Sequence, residues 1–191
     1  SEEQRKQRIG ALLQELNNIP EGKEGAVDFE AWALKAIKIL FATNLTNIEL
    51  HSNKNGLQQR DIIATNLADT PVWKRILTDY QSRQVVFEIK NYKTLGADEY
   101  RQVNSYLFKD YGRLAFIINR DHSENLEKHK ELIWVKELYD NHNKLVIKLP
   151  SKFLERHLSK MRSPQKHDEV NKQLSKLLDL YIRSYLNNKC K

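Results

Sequence analysis

Apolar positions recur at helical spacing over residues 3–17, where Ile9, Leu12, Leu13 and Leu16 share one face. The run NNIPEGKEG then breaks the pattern with asparagine, proline and glycine. A second helix is predicted over 27–43. Phe29, Trp32, Ala33, Ala36, Ile37, Leu40 and Phe41 form its apolar stripe, Asp28 stands where a cap is needed, and Glu30 lies at the stripe's margin. Residues 45–52 and 57–66 read as strands flanking an Asn-Lys-Asn-Gly turn at 53–56, a hairpin signal. Thr70 and Pro71 open a helix over 70–82. A third strand is predicted over 84–91, a helix over 97–112 stopped by Gly112, and a fourth strand over 113–119. A helix over 123–141, a fifth strand over 144–150 and a helix over 151–161 follow. The last helix, 165–188, carries Val170, Leu174, Leu177, Leu178, Tyr181, Ile182, Tyr185 and Leu186 as a stripe. Packing on the domain is the first expectation for that stripe, and self-association the second.

Two of the strands hold charge in otherwise apolar surroundings. Side chains alternate along a strand, so Val86, Glu88 and Lys90 of VVFEIK share one face and Val85, Phe87 and Ile89 the other. A carboxylate and an ammonium on a core strand are costly to bury unless paired or bound to a metal. Asp61, in RDIIATN, adds a carboxylate at the polar edge of another strand. By itself an E-x-K tripeptide is also what a register-fixing ion pair looks like; its context changes the reading.

At 191 residues, 40% hydrophobic and 30% charged, the chain can bury one sizeable core. We divide it into a leading helix and linker (1–22), a core domain (23–150) and a basic helical extension (151–191) that packs on the core or serves assembly. No apolar run approaches the roughly 18 residues of a membrane span, and SEEQRKQR at the start has no secretory character. The single cysteine, Cys190, forms no internal disulfide, and a reducing, cytoplasmic setting is expected. A start at Ser1 suggests processing or a piece of a longer protein. The net charge of +7 is uneven: residues 144–191 hold 12 Lys/Arg against 4 Asp/Glu, and residues 1–143 hold 20 against 21. A basic C-terminal quarter suits a polyanion, or is simply a solvated helix surface. No phosphate-cradling glycine loop is present, so no nucleotide cofactor is expected. The six histidines show no tight metal spacing, and only His51 lies near the charged strands.

The predicted order is α-β-β-β-α-β, with one helix inserted between the second and third strands. With an acidic residue on the second strand and E-x-K on the third, it resembles the PD-(D/E)XK nuclease superfamily over about residues 27–120. That resemblance implies an α/β, restriction-endonuclease-like core: a mixed central sheet flanked by helices, with magnesium at the strand ends. Carried over by motif, Asp61 and Glu88 would be metal ligands and Ile89 would add its carbonyl. Lys90 would orient or help deprotonate the attacking water. Glu30 matches the acidic residue often found on the first helix and would help hold a second ion. Gln102-Val-Asn-Ser-Tyr106 resembles the Q-x-x-x-Y motif of RecB-like members, and Phe29-Glu30 is similar to the first helix of Mrr-like restriction nucleases.

Two features depart from the family pattern. Arg60 rather than proline precedes Asp61, and a whole helix separates Asp61 from Glu88. Lys74 and Arg75 on that helix are expected to line the cleft. Asn91, Tyr92 and Lys93 are expected to flank the groove, with Gln102 and Tyr106 presented together from one helix face. Arg101 and Arg120 are further phosphate candidates.

Oxygen ligands without a Cys/His cluster favour Mg²⁺ or Mn²⁺ over zinc. The expected function is metal-dependent hydrolysis of DNA, by an endonuclease rather than an exonuclease. The chain would act as a homodimer or as the effector of a larger prokaryotic defence or DNA-processing assembly. Two alternatives stand beside it: the same fold used to bind nucleic acid or protein without catalysis, and the same chemistry on RNA.

Overall fold

The computed structural model describes residues 1–52 and 60–187. The turn expected at 53–56, the first residues of the strand expected from 57, and Cys190 lie outside the described residues.

The chain is an α/β protein built on a five-stranded, open mixed sheet flanked by helices. The strands lie side by side in chain order. β1 (Leu45–Ser52) is antiparallel to β2 (Arg60–Asn66), and β2 to β3 (Gln84–Ile89). β4 (Leu114–Ile118) runs parallel to β3, and β5 (Leu145–Lys148) parallel to β4. Hairpin-type links suffice for antiparallel neighbours, whereas the two parallel pairs require crossovers, which helices provide. The order through β4 is the one read from the sequence.

Register divides the sheet into two faces. Ile62 pairs with Phe87, Phe87 with Phe116, and Phe116 with Ile147. This face is apolar and aromatic. α2 (Ala26–Leu40) and α3 (Pro71–Tyr80) bring Phe41 and Trp73 onto it, where Phe41, Trp73, Phe87 and Phe116 stack at centroid separations of 5.0–6.5 Å. The opposite face carries Val86, Glu88, Ala115, Ile117, Val146 and Lys148. α4 (Ala97–Asn104) and α5 (Glu131–His142) are tied to it by polar contacts, Gln102 to Lys90 and Glu131 to Lys148. The buried strand charges Asp61, Glu88 and Lys148 thus share one face, and Arg60 at the start of β2 stands on the other.

α1 (Glu2–Asn17), α6 (Ser151–Lys160) and α7 (Glu169–Leu180) share one hydrophobic core with the sheet, from Ile9 to Leu186. The Trp32 indole donates to the Leu12 carbonyl and fixes α1 on α2. Val170, Leu174, Leu177 and Leu178 of α7 face inward, and a π-helical turn (Tyr181–Tyr185) continues the element. The stripe is therefore occupied by the core, and self-association through it would require unpacking. No helix among the described residues is long and apolar enough to cross a membrane.

Two helices fall well short of their predicted spans, and α7 starts at Glu169 rather than 165, after a separate 3₁₀ turn (Pro164–Lys166). α4 stops at Asn104 rather than reaching 112. The Ser105 hydroxyl donates to the Gln102 carbonyl and competes for the helical ladder. Gly112, at φ 65°, ends a separate 3₁₀ turn (Lys109–Tyr111). A Cβ there would lie 2.4 Å from the Tyr80 carbonyl oxygen, so only glycine fits. α5 starts at Glu131 rather than 123. In the preceding loop, Asp121 and the Asn125 carbonyl bind the buried Lys148 ammonium instead of forming a helix.

Candidate active site

The antiparallel register of β2 and β3 runs Thr65↔Gln84 to Ile62↔Phe87. Continued by one residue, it sets Asp61 directly opposite Glu88, on the charged face. Both residues are buried, at 7% and 1% exposure. Lys90, two residues beyond Glu88, lies on the same face, with its Nζ 3.1 Å from Glu88 Oε1. That contact is close in distance but not directed as a hydrogen bond, because both Glu88 oxygens and Asp61 Oδ1 lack a hydrogen-bond donor. Lys90 Nζ does donate to Gln102 Oε1 at 3.2 Å, so α4 helps hold the ammonium over the strand end.

The carbonyl of Ile89 follows from peptide geometry. The N–H of Lys90 donates to the Ile118 carbonyl in β4. A trans peptide points its C=O opposite to its N–H, so the Ile89 oxygen is turned away from β4 and toward the Asp61 side. Asp61, Glu88 and this carbonyl are the oxygen groups that could hold a cation. Among the described residues, no three His, Cys, Asp or Glu side chains gather closely enough to do so on their own.

Two facing carboxyl groups in a buried setting cannot both ionise cheaply. Burial first, then the charge of the facing Glu88 carboxyl, push the Asp61 carboxyl up to about 9; Lys90 opposes the shift and Glu30 adds to it. Protonated, Asp61 can donate to Glu88. Ionised, the two carboxylates have no donor between them.

Glu30 approaches the start of β2 from α2 and is 3% exposed. Its Oε1 accepts from the Arg60 backbone N–H at 3.0 Å and its Oε2 lies 3.4 Å from Arg60 Nε. Both oxygens are thus engaged by one residue, which restricts Glu30 as a ligand to a second ion. The same contact gives the Arg60 departure a physical meaning. Proline has no N–H and could not make the 3.0 Å bond.

The expected groove residues separate. Asn91 does not line a groove. It is buried, and its amide donates to the carbonyls of Pro20 and Gly22 while its Oδ1 accepts from Arg120. Its bonds therefore fasten the linker after α1 to the end of β3, and the same contact engages Arg120. Tyr92 and Lys93 are exposed beside it. Tyr106 does not share a helix face with Gln102, because α4 ends before it; it is half-buried beyond Ser105. α3 connects the end of β2 to the start of β3, which is the sheet end away from Asp61 and Glu88. Lys74 is exposed there, and Arg75 is paired with Asp179 of α7 at 2.7 Å. Neither lines the cleft. Connectivity alone carried that signal: Asp61 opens β2, so a helix leaving the other end of β2 starts far from it.

One residue gains from the register. His51 pairs with Asp61 across β1 and β2, so it stands on the charged face beside the carboxylates. It is exposed, with Nε2 2.6 Å from Glu49 Oε1.

Over 182 residues the chain is 52% identical to the protein named "Putative transposon gamma-delta 80.3 kDa protein" of Escherichia coli (strain K12). The match takes in 95% of this chain but 26% of that protein, so the chain spans about a quarter of the length of the curated relative it matches. No protein-family profile matches the chain, and no solved structure does.

Proposed function

We propose that the chain is a Mg²⁺- or Mn²⁺-dependent nuclease domain with a restriction-endonuclease-like core, acting on DNA. The observation that carries this reading is the convergence of Asp61, Glu88 and Lys90 at one end of β2 and β3, with buried carboxylate oxygens that lack donors. A purely structural Glu88–Lys90 pair accounts for two of these side chains. It leaves Asp61 buried against Glu88, where its ionisation is opposed. A cation between the carboxylates removes that opposition.

The donor set suits a hard divalent ion. Magnesium is commonly held by one or two carboxylates plus substrate phosphates, with water completing its shell. Asp61, Glu88 and the Ile89 carbonyl would supply the protein's share. The bound ion would neutralise phosphate charge and lower the pKa of a coordinated water. Lys90, held between Glu88 and Gln102, would orient the attacking water and stabilise charge on the phosphate. Gln102 is a positioning residue, since its contact is with Lys90. Glu30 would act through Arg60 on the start of β2, where Asp61 sits. The match to a transposon-named protein fits a DNA-processing role. Self-association or membership of a larger assembly belongs to the same proposal, through surfaces other than the α7 stripe.

Cleavage of plasmid and of single-stranded DNA and RNA, with Mg²⁺, Mn²⁺ or EDTA, tests the reading. Asp61→Asn, Glu88→Gln and Lys90→Met are each expected to lower cleavage at least about 10²-fold, the scale of losing one charge-stabilising group. Cutting retained by all three purified variants would refute it. Metal binding without cutting of any substrate would instead assign a non-catalytic binding module, and cutting confined to RNA would change the substrate.

A further inference from the structure

At the sheet end away from Asp61, a cavity of about 510 Å³ opens between α1, the end of α2 and the connection from α6 to α7. Arg5, Arg8 and Lys38 line it, with His167 and Asp168. Thr70 also lines it, and its hydroxyl is a buried oxygen without a hydrogen-bond partner. Thr70 precedes the first turn of α3, whose N-terminal dipole end adds partial positive charge. A second, shallower groove of about 560 Å³ is lined by Lys6, Lys160, Arg162, Ser163 and Lys166. The two share α1 and the same connection, and together seven Lys/Arg side chains line them. Among the described residues none of the seven has an acidic partner within ion-pair distance. Arg5 is instead 3.5 Å from the His167 ring.

Unpaired cations on a folded surface raise the local potential, and bringing in an anion relieves their mutual repulsion. We propose that this surface holds the phosphate backbone of nucleic acid at a second site, distinct from the candidate active site. β2 alone separates the cavity from Asp61 by about 17 Å of strand rise, from Asp61 to Asn66. Among the described residues, the five large apolar side chains that are exposed, Val27, Leu67, Tyr92, Phe108 and Ile133, line neither groove and offer no wedge for a lipid surface here. Ser159, Gln165 and Thr43 stand among the cations as hydroxyl and amide donors, the groups that phosphate oxygens accept from. The surface would set position and affinity on the duplex without reading sequence.

This inference rests on the nucleic-acid partner of the proposed function but not on its chemistry, and binding is measured in EDTA. A labelled duplex is titrated at increasing salt against wild type and the quadruple variant Lys6→Gln/Arg8→Gln/Arg162→Gln/Lys166→Gln. Each lost phosphate contact removes about 0.9 from the slope of log K on log salt, so the quadruple variant is expected to lose about 2–4 units. With EDTA present no metal is bound and no cleavage is read, so a change of slope is separate from failure of the catalytic reading. Equal melting temperatures keep folding apart from binding. An unchanged slope in the quadruple variant overturns the proposal. So does an equal loss in Lys109→Gln/Lys128→Gln/Lys130→Gln/Lys176→Gln, which removes the same charge outside both grooves. Binding of inorganic phosphate without any duplex response would assign the cavity to a free anion, and overturns it as well.

Discussion

Replacing Asp61 with asparagine is expected to stabilise the metal-free fold at neutral and alkaline pH, and to abolish its response to divalent cations. In the fold, burial and Glu88 hold the Asp61 proton up to about 9, against an ordinary value of 3.8. The folded pKa is raised, so this group's contribution is complete below the unfolded value and is lost as pH climbs toward the folded one. Over that window each pH unit costs about 1.4 kcal/mol. From pH 5 to pH 8 the loss is on the order of 4 kcal/mol, or about 10 °C in melting temperature for a chain of this length. Asparagine has the same shape, carries no proton to lose, and can donate its amide to Glu88. A bound divalent cation displaces the proton, so wild type should gain more from Mn²⁺ as pH rises, and Asp61→Asn should gain nothing. Scanning calorimetry from pH 5 to 8, in EDTA and in Mn²⁺, measures both effects, and the difference between the two proteins isolates Asp61 from every other titrating group. Parallel wild-type and variant curves in EDTA would mean that Asp61 is ionised in the fold, and the electrostatic argument would fail.

Two other substitutions test neighbouring parts of the reasoning. His157 is fully buried with neither ring nitrogen hydrogen-bonded, and burial, aided by Lys160 and Arg156 against Glu124, pushes its pKa down to about 4. Its folded pKa is depressed, so stability is lost as pH falls from about 6.5 toward 4, at about 1.4 kcal/mol per unit; His157→Leu should flatten that acid limb in a melting series. Arg60→Pro removes the N–H that Glu30 accepts and should cost about 1–3 kcal/mol more than Arg60→Ala in urea denaturation; equal midpoints for the two variants would show that the backbone bond contributes nothing.

What the sequence reveals and what it hides divide along physical lines. Alternation is a local property, so Glu88 and Lys90 could be placed on one face from six residues of VVFEIK. The pairing of Asp61 with Glu88 is not local. It depends on the β2–β3 register across an intervening helix, which no spacing along the chain determines. The contact of Lys90 with Gln102 depends in turn on how α4 docks, and α4 ends before Tyr106 because a serine hydroxyl competes for its backbone. Asn91 shows the converse difficulty. A polar residue directly after a charged strand suggests a groove, yet three hydrogen bonds to distant segments engage both its amide nitrogen and its oxygen. Polar residues at strand ends serve closure of the fold as readily as chemistry, and only tertiary contacts separate the two. Arg60 is the informative case. Judged by motif it weakens the resemblance, whereas judged by its N–H it supplies a bond to Glu30 that the expected proline would forbid. A departure from pattern at this site is therefore better weighed by the atoms it adds than by the letter it replaces.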